Sequence, residues 1–211
     1  MNCDIVVGVF IHDRVSKEMR DFQRIMIDSF NTTTRNPSHC SSAKPILVQF
    51  VAGIPRSNKI INEDDIILLP IIENMNDGKT YYYFSSIDST LENFNAKFAF
   101  KADDDTFVHY DNLYKDIEKF LVSDQLVYYG RIASESNQFM TGMLYGLSKP
   151  LIHEIMKVKE FASKLNKAED YLTSEWVNEI NKTLKVQYID NIETFYDHLN
   201  YPRKTIELGS F

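Results

Sequence analysis

Cysteine is scarce in this 211-residue chain. Cys3 and Cys40 stand alone, too few for a disulfide framework, and a reducing compartment suits them. Basic charge is also short. The formal net charge is −7, which argues against a general nucleic-acid binder, since that needs a basic face for phosphates. A small phosphorylated ligand is not excluded, because a metal ion can supply positive charge locally. Long apolar runs are missing. The stretch IVVGVFI is flanked by Asp4 and His12 and is too short to cross a bilayer. The opening MNCDIVVGVFIHDR carries no basic n-region, so neither a signal peptide nor a membrane anchor is expected here, and the expected location is cytoplasmic. Several catalytic signatures are absent as well. There is no GxxxxGK[ST] loop, GxSxG elbow or HExxH helix. DGKT at 77–80 matches only the tail of a phosphate loop. His12, His39, His109, His153 and His198 are not spaced as a zinc site.

What is present reads as an ordinary globular domain. Hydrophobic residues make up 44% and charged residues 25%, and the length suits one domain over 1–211. There is no internal repeat and no linker. Strand-like and helix-like segments alternate. IVVGVF (5–10), ILVQFVAG (46–53), DDIILLP (64–70), KFAFKA (97–102), QLVYYG (125–130) and KVQYID (185–190) read as strands by apolar and β-branched content. Helices are predicted where apolar residues recur at helical spacing: Val15 to Phe30, Phe84 to Phe94, and Leu113 to Leu121 with Asp111 as a cap. Two more follow, one from Ser148 through Met156 and one from Tyr171 through Ile180. FMTGMLYGLS (139–148) mixes small and apolar residues. This alternation predicts an α/β fold, a single domain with a mostly parallel central sheet flanked by helices. In such sheets ligands sit at the carboxyl ends of strands.

The segment FKADDDTFV (100–108) ends a predicted strand in three aspartates. Three carboxylates packed closely and partly buried do not all stay ionised without a cation. Their hard oxygens suit Mg²⁺, Mn²⁺ or Ca²⁺. On an extended segment Asp103 and Asp105 point the same way and Asp104 the other. An EF-hand is excluded, because Val108 and Tyr114 stand where its glycine and glutamate belong. A solvated acidic turn is the bland alternative, but the apolar residues on both sides embed the run in a core strand-turn.

AFKADDDTFVHYDNL (99–113) resembles the metal-binding motif of GT-A fold glycosyltransferases, and is most similar to the β-1,3-galactosyltransferase and Fringe group. Other landmarks follow in that group's order. RDFQR, with Arg20 and Arg24, resembles its R-x-x-x-R helix. FVAG (50–53) resembles its F-x-x-G strand end, TGMLYGLS (141–148) its glycine-rich segment, and AEDYLTSEW (168–176) its E-D-V motif. Tyr171 stands where the group has valine, TGMLYG has fewer glycines, and the group's cysteines and Golgi anchor are absent. A cytosolic bacterial or viral member, in the host cytoplasm if viral, fits that pattern, and the chain is also a candidate piece of a longer multi-enzyme polypeptide.

The resemblance implies transfer of a hexose or deoxyhexose from a UDP-sugar to a glycan or glycoprotein acceptor, with Mn²⁺ or Mg²⁺. It implies Asp105, Asp103 and His198 as metal ligands, and Asp104 facing the ribose or donor sugar. Asp170 becomes the base that deprotonates the acceptor in an inverting enzyme; with retention, Glu169 and Asp170 only position the sugar. The nucleotide would lie over the first strand end, beside Phe10, Ile11, His12, Asp13 and Arg14, with Lys79 near a phosphate or sugar. Plainer roles stand beside these. Asp170 can be a helix N-cap, His198 a surface residue, Phe10 core, Arg14 a solvated helix start and Lys79 a turn lysine. Trp176 is either an acceptor platform or core. The alternative function is a non-catalytic sugar or nucleotide binder on the same fold, with a Mg²⁺ phosphatase or nucleotidyltransferase further off.

Overall fold

The computed structural model describes residues 3–11, 17–33, 46–55, 63–74, 78–134, 139–163, 165, 167–190 and 195–197. In chain order these form β1 (Ile5–Phe10), α1 (Lys17–Thr33), β2 (Ile46–Ile54), β3 (Ile66–Ile72), α2 (Lys79–Phe94), β4 (Phe98–Asp103), β5 (Thr106–Val108) and α3 (Tyr110–Ile117). They continue as β6 (Leu126–Ser134), β7 (Phe139–Ser148), α4 (Lys149–Lys157), α5 (Glu169–Asn181), β8 (Val186–Asp190) and β9 (Phe195–Asp197). Short 3-10 turns follow α3 and α4.

Seven strands make the central sheet in the order β3-β2-β1-β4-β7-β6-β8. Only β7 runs against the others. The chain winds outward from β1 to β3, then returns to place β4 on the other side of β1. The strand order therefore reverses between β1 and β4, the kind of point where a crevice opens at the carboxyl ends of parallel strands. There Phe10 stands beside Asp103. β5 pairs with β9 in a separate two-stranded sheet.

Strands buried on both faces explain the nearly unbroken apolar runs of β1 and β4. One face packs Tyr83, Phe84, Ile87 and Leu91 of α2 with Leu151, Ile152 and Ile155 of α4 and Leu172, Trp176 and Val177 of α5. The other packs Ile27 and Phe30 of α1 with Tyr110, Leu113 and Ile117 of α3. Gly8 admits Tyr83 to the first face: a Cβ at Gly8 would stand 2.5 Å from the ring of Tyr83. The Tyr83 hydroxyl donates to the Phe100 carbonyl at 3.1 Å.

The predicted α/β architecture and its mostly parallel sheet are present. Local boundaries differ in physical detail. FMTGMLYGLS forms β7, in which small residues let large neighbours close: a Cβ on Gly146 would stand 2.3 Å from the Phe100 ring. α1 runs on to Thr33, beyond the Phe30 at which the apolar spacing ends the predicted helix. Asp111 is not the cap of α3. His109 holds the N-cap position and Asp111 lies in the first turn, where its charge still favours the helix dipole.

Candidate active site

β4 carries Lys101 into the core and ends at Asp103; Asp104 and Asp105 form the turn into β5. A lysine in the middle of FAFKA is 4% exposed, so its charge must be met inside the protein. Its ammonium donates to the Gly142 carbonyl at 2.7 Å and forms an ion pair with the Asp103 carboxylate. The rings of Phe10 and Tyr145 flank it at 5.5 and 5.9 Å. Lys101 thus fixes Asp103 and ties β4 to the start of β7. On the far side, Gln23 of α1 donates to the Thr106 carbonyl at 2.9 Å, which anchors the strand after the turn.

The first turn of α5 meets the same place. Ala168 is the N-cap of α5, so Asp170 is not the cap; its Oδ1 accepts the Tyr171 amide at 2.8 Å. Gly142 lies between the two elements. A Cβ there would stand 3.0 Å from Asp170 Oδ2 and 3.7 Å from Asp103 Oδ2. The missing side chain leaves a gap onto which both carboxylates face. The buried Tyr145 hydroxyl joins the two helices behind it, 3.1 Å from Thr173 Oγ1 on α5 and 3.5 Å from Thr80 Oγ1 on α2.

Negative charge is crowded here. Burial pushes the Asp103 carboxyl above its usual range; Lys101 opposes this, and Asp105 and Asp170 add to it. Burial pushes Glu169 up to about 7, against the pull of Lys101, Lys79 and Thr80 and with a further push from Asp103. Glu169 Oε1 is buried and accepts no hydrogen bond. Excess carboxylate of this kind fits a divalent cation, and hard oxygens facing a side-chain-free gap suit Mg²⁺ or Mn²⁺. Among the described residues, no group of three or more His, Cys, Asp or Glu is placed to hold a metal on its own.

Several expected nucleotide contacts are already engaged by protein neighbours. Phe10 is 7% exposed. Its ring meets the edge of Tyr83 at 5.4 Å and carries Lys79 and Lys101 over it, so it offers no free face to a base. Ile11 is buried; its amide donates to the Val51 carbonyl at 2.9 Å. Lys79 is no exposed turn lysine. It opens α2 after Gly78, whose φ of +83° a side chain would resist. Its ammonium donates to the Ile11 carbonyl at 2.6 Å and to Glu73 at 2.7 Å. A phosphate at Lys79 would have to displace Glu73. Trp176 is 2% exposed between Tyr81 and Phe161, which makes it core and not a platform. His12, Asp13, Arg14 and His198 lie outside the described residues.

The structure adds two residues to the site that the sequence reading did not single out, Lys101 and Gly142. A lone lysine inside an apolar strand is the signal that could have found the first. No local pattern marks Gly142, because its role depends on α5 crossing it.

No protein-family profile and no curated protein sequence matches this chain. Among solved structures it is similar to a glycosyltransferase involved in glycosylation of the major capsid of PBCV-1, at 12% identity and a TM-score of 0.50, over 89% of this chain and 81% of that one. It is also similar to a Bacillus anthracis structure assigned as a glucose-1-phosphate thymidylyltransferase, at 7% identity and a TM-score of 0.50, over 92% and 89%. These likenesses establish the fold: a mixed α/β domain of the GT-A, Rossmann-like type.

Proposed function

We propose that this chain is a metal-dependent glycosyltransferase that moves a hexose or deoxyhexose from a UDP-sugar to a glycan or glycoprotein acceptor. The observation that carries the reading is the convergence of Asp103 and Asp170 on Gly142, at the carboxyl edge where the strand order reverses. Fold alone does not assign this chemistry, since the same architecture serves sugar and nucleotidyl transfer.

In the proposed reaction the bond between the sugar anomeric carbon and the diphosphate oxygen breaks, and its electron pair leaves with UDP. The acceptor oxygen forms the new bond to the anomeric carbon, and Asp170 takes its proton if configuration inverts. Asp103 and Asp105 would hold Mn²⁺ or Mg²⁺, with His198 as a further ligand; the ion would neutralise charge developing on the diphosphate. Lys101 holds the Asp103 carboxylate in place through the Gly142 link. Asp104 and Glu169 would face the donor sugar. His12, Asp13 and Arg14, which follow β1 in sequence, would contact the nucleotide in this reading.

Calorimetry of UDP, with and without Mn²⁺, on wild type and Asp105→Ala tests it. Metal-dependent binding that the variant loses supports the donor site. Tight binding without metal removes the metal role of the aspartates, and no binding removes the UDP-sugar reading. Turnover separates an enzyme from a binder, and release of pyrophosphate in place of UDP would mark a nucleotidyltransferase.

A further inference from the structure

Asp170 also borders a second cluster, outside both cores. Tyr171, the next residue, is 40% exposed. Phe139 opens β7 three positions before Gly142, and its ring lies 6.1 Å from that of Tyr171, tilted by 56°. The Lys167 ammonium stands 5.4 Å from the Tyr171 ring centre. Both oxygens of Glu175 hold that ammonium at 2.7 Å. Neither ring joins the two hydrophobic cores. Folding alone gives little reason to fix two aromatic rings beside an active-site carboxylate, with one of them left open to solvent.

We propose that Phe139, Tyr171 and Lys167 form the acceptor subsite, and that it takes a neutral pyranoside. The proposal rests on the reading of Asp170 as the group that receives the acceptor's proton. A pyranose ring has an apolar C–H face that packs on aromatic carbon, while hydroxyls at its rim need polar partners. The aromatic pair supplies the first. Lys167, Glu175 and Asp170 surround it with the second. Neutrality follows from charge: Glu175 cancels Lys167, and Asp170 is acidic, so among the described residues of this cluster no cation is left over to attract an anionic sugar. Tyr171 lies one residue from Asp170, which would bring a hydroxyl of the stacked sugar toward that carboxylate. Trp176, the other aromatic candidate, is buried and cannot serve.

Labelled, pre-clustered protein on an array of immobilised glycans tests this, since multivalent display raises weak affinities to a readable level. The array should carry neutral pyranosides, sialylated glycans and unglycosylated peptides. Wild type is expected to be retained on a subset of the neutral glycans. Tyr171→Ala should reduce that signal about tenfold and Phe139→Ser should reduce it too, while Tyr171→Trp keeps it. Thermal melting checks that each variant is folded. Retention only on sialylated glycans or peptides, no retention at all, or equal retention by folded Tyr171→Ala overturns the proposal. A UDP titration of the wild type judges the donor reading separately. Glycan retention without UDP binding overturns that reading alone, and UDP binding without glycan retention overturns this proposal alone.

Discussion

Between α1 and β3, carboxylates are held below their usual protonation range; between β4 and α5 the same kind of group is pushed above it. In the first region Arg24 forms a two-pronged bond to Asp65, both contacts at 2.7 Å, and a further bond to Asp21. Arg20 and Arg24 share Glu63, and the hydrogen bond from Arg20 is the main reason its carboxyl falls to about 2. These arginines fasten a helix to a strand. In the second region Lys79 is engaged by Glu73. Lys101 therefore meets Asp103 with Glu169, Asp105 and Asp170 close by. Among the described residues, one patch is closed and the other is short of positive charge. Paired charge of the first kind fixes structure, whereas uncompensated carboxylate beside a gap is the arrangement that a cationic ligand relieves.

The contrast can be broken from either side. Asp105→Ala should lower sugar transfer by about 10²–10³-fold with little change in melting temperature, read by UDP release in the presence of acceptor. If transfer survives, the acidic patch is not the catalytic one. Arg24→Met should cost about 1–2 kcal/mol in urea unfolding, a value discounted because the partners are partly exposed. Adding Asp65→Asn should return part of it. No loss would mean the closed patch is not structural. Gly142→Ala brings a methyl against Asp170 and should reduce transfer by about tenfold with a melting change of only a few degrees. Unchanged transfer would separate Gly142 from the site.

The smallest effect is on pH dependence, and its sign differs between the patches. Glu63 has a lowered carboxyl, so its contribution is full above its ordinary value of 4.5 and is lost as pH falls toward about 2. Glu169 has a raised one, so its contribution is full below 4.5 and is lost as pH rises through about 7. Glu63→Gln should flatten the acid limb of a stability profile, and Glu169→Gln the decline between 4.5 and 7. Profiles parallel to wild type would remove the assigned partners.

Much of the fold was legible because buried parallel strands carry continuous apolar runs, as in Ile5–Phe10, and helices carry a periodic face, as in Phe84, Ile87 and Leu91. β5 and β9 were not, since three residues give too short a pattern and their pairing joins segments as distant in sequence as Thr106 and Asp197. In the site, the aspartate run announced itself by local charge density. The Lys101–Gly142 link did not, because it joins residues 41 positions apart. Phe10 and Lys79 were read for what their groups can bind, and tertiary neighbours had already engaged them. The two readings of Trp176 looked alike in sequence because helical spacing fixes a face without saying what covers it.

That buried tryptophan makes the protein its own spectroscopic probe. Trp176 is the single indole of the chain, and it is enclosed by Tyr81 and Phe161 on the helix that begins at Glu169 and Asp170. Selective excitation therefore reports from one place, in a water-poor setting. A ligand that shifts the start of that helix would change the emission without any added dye.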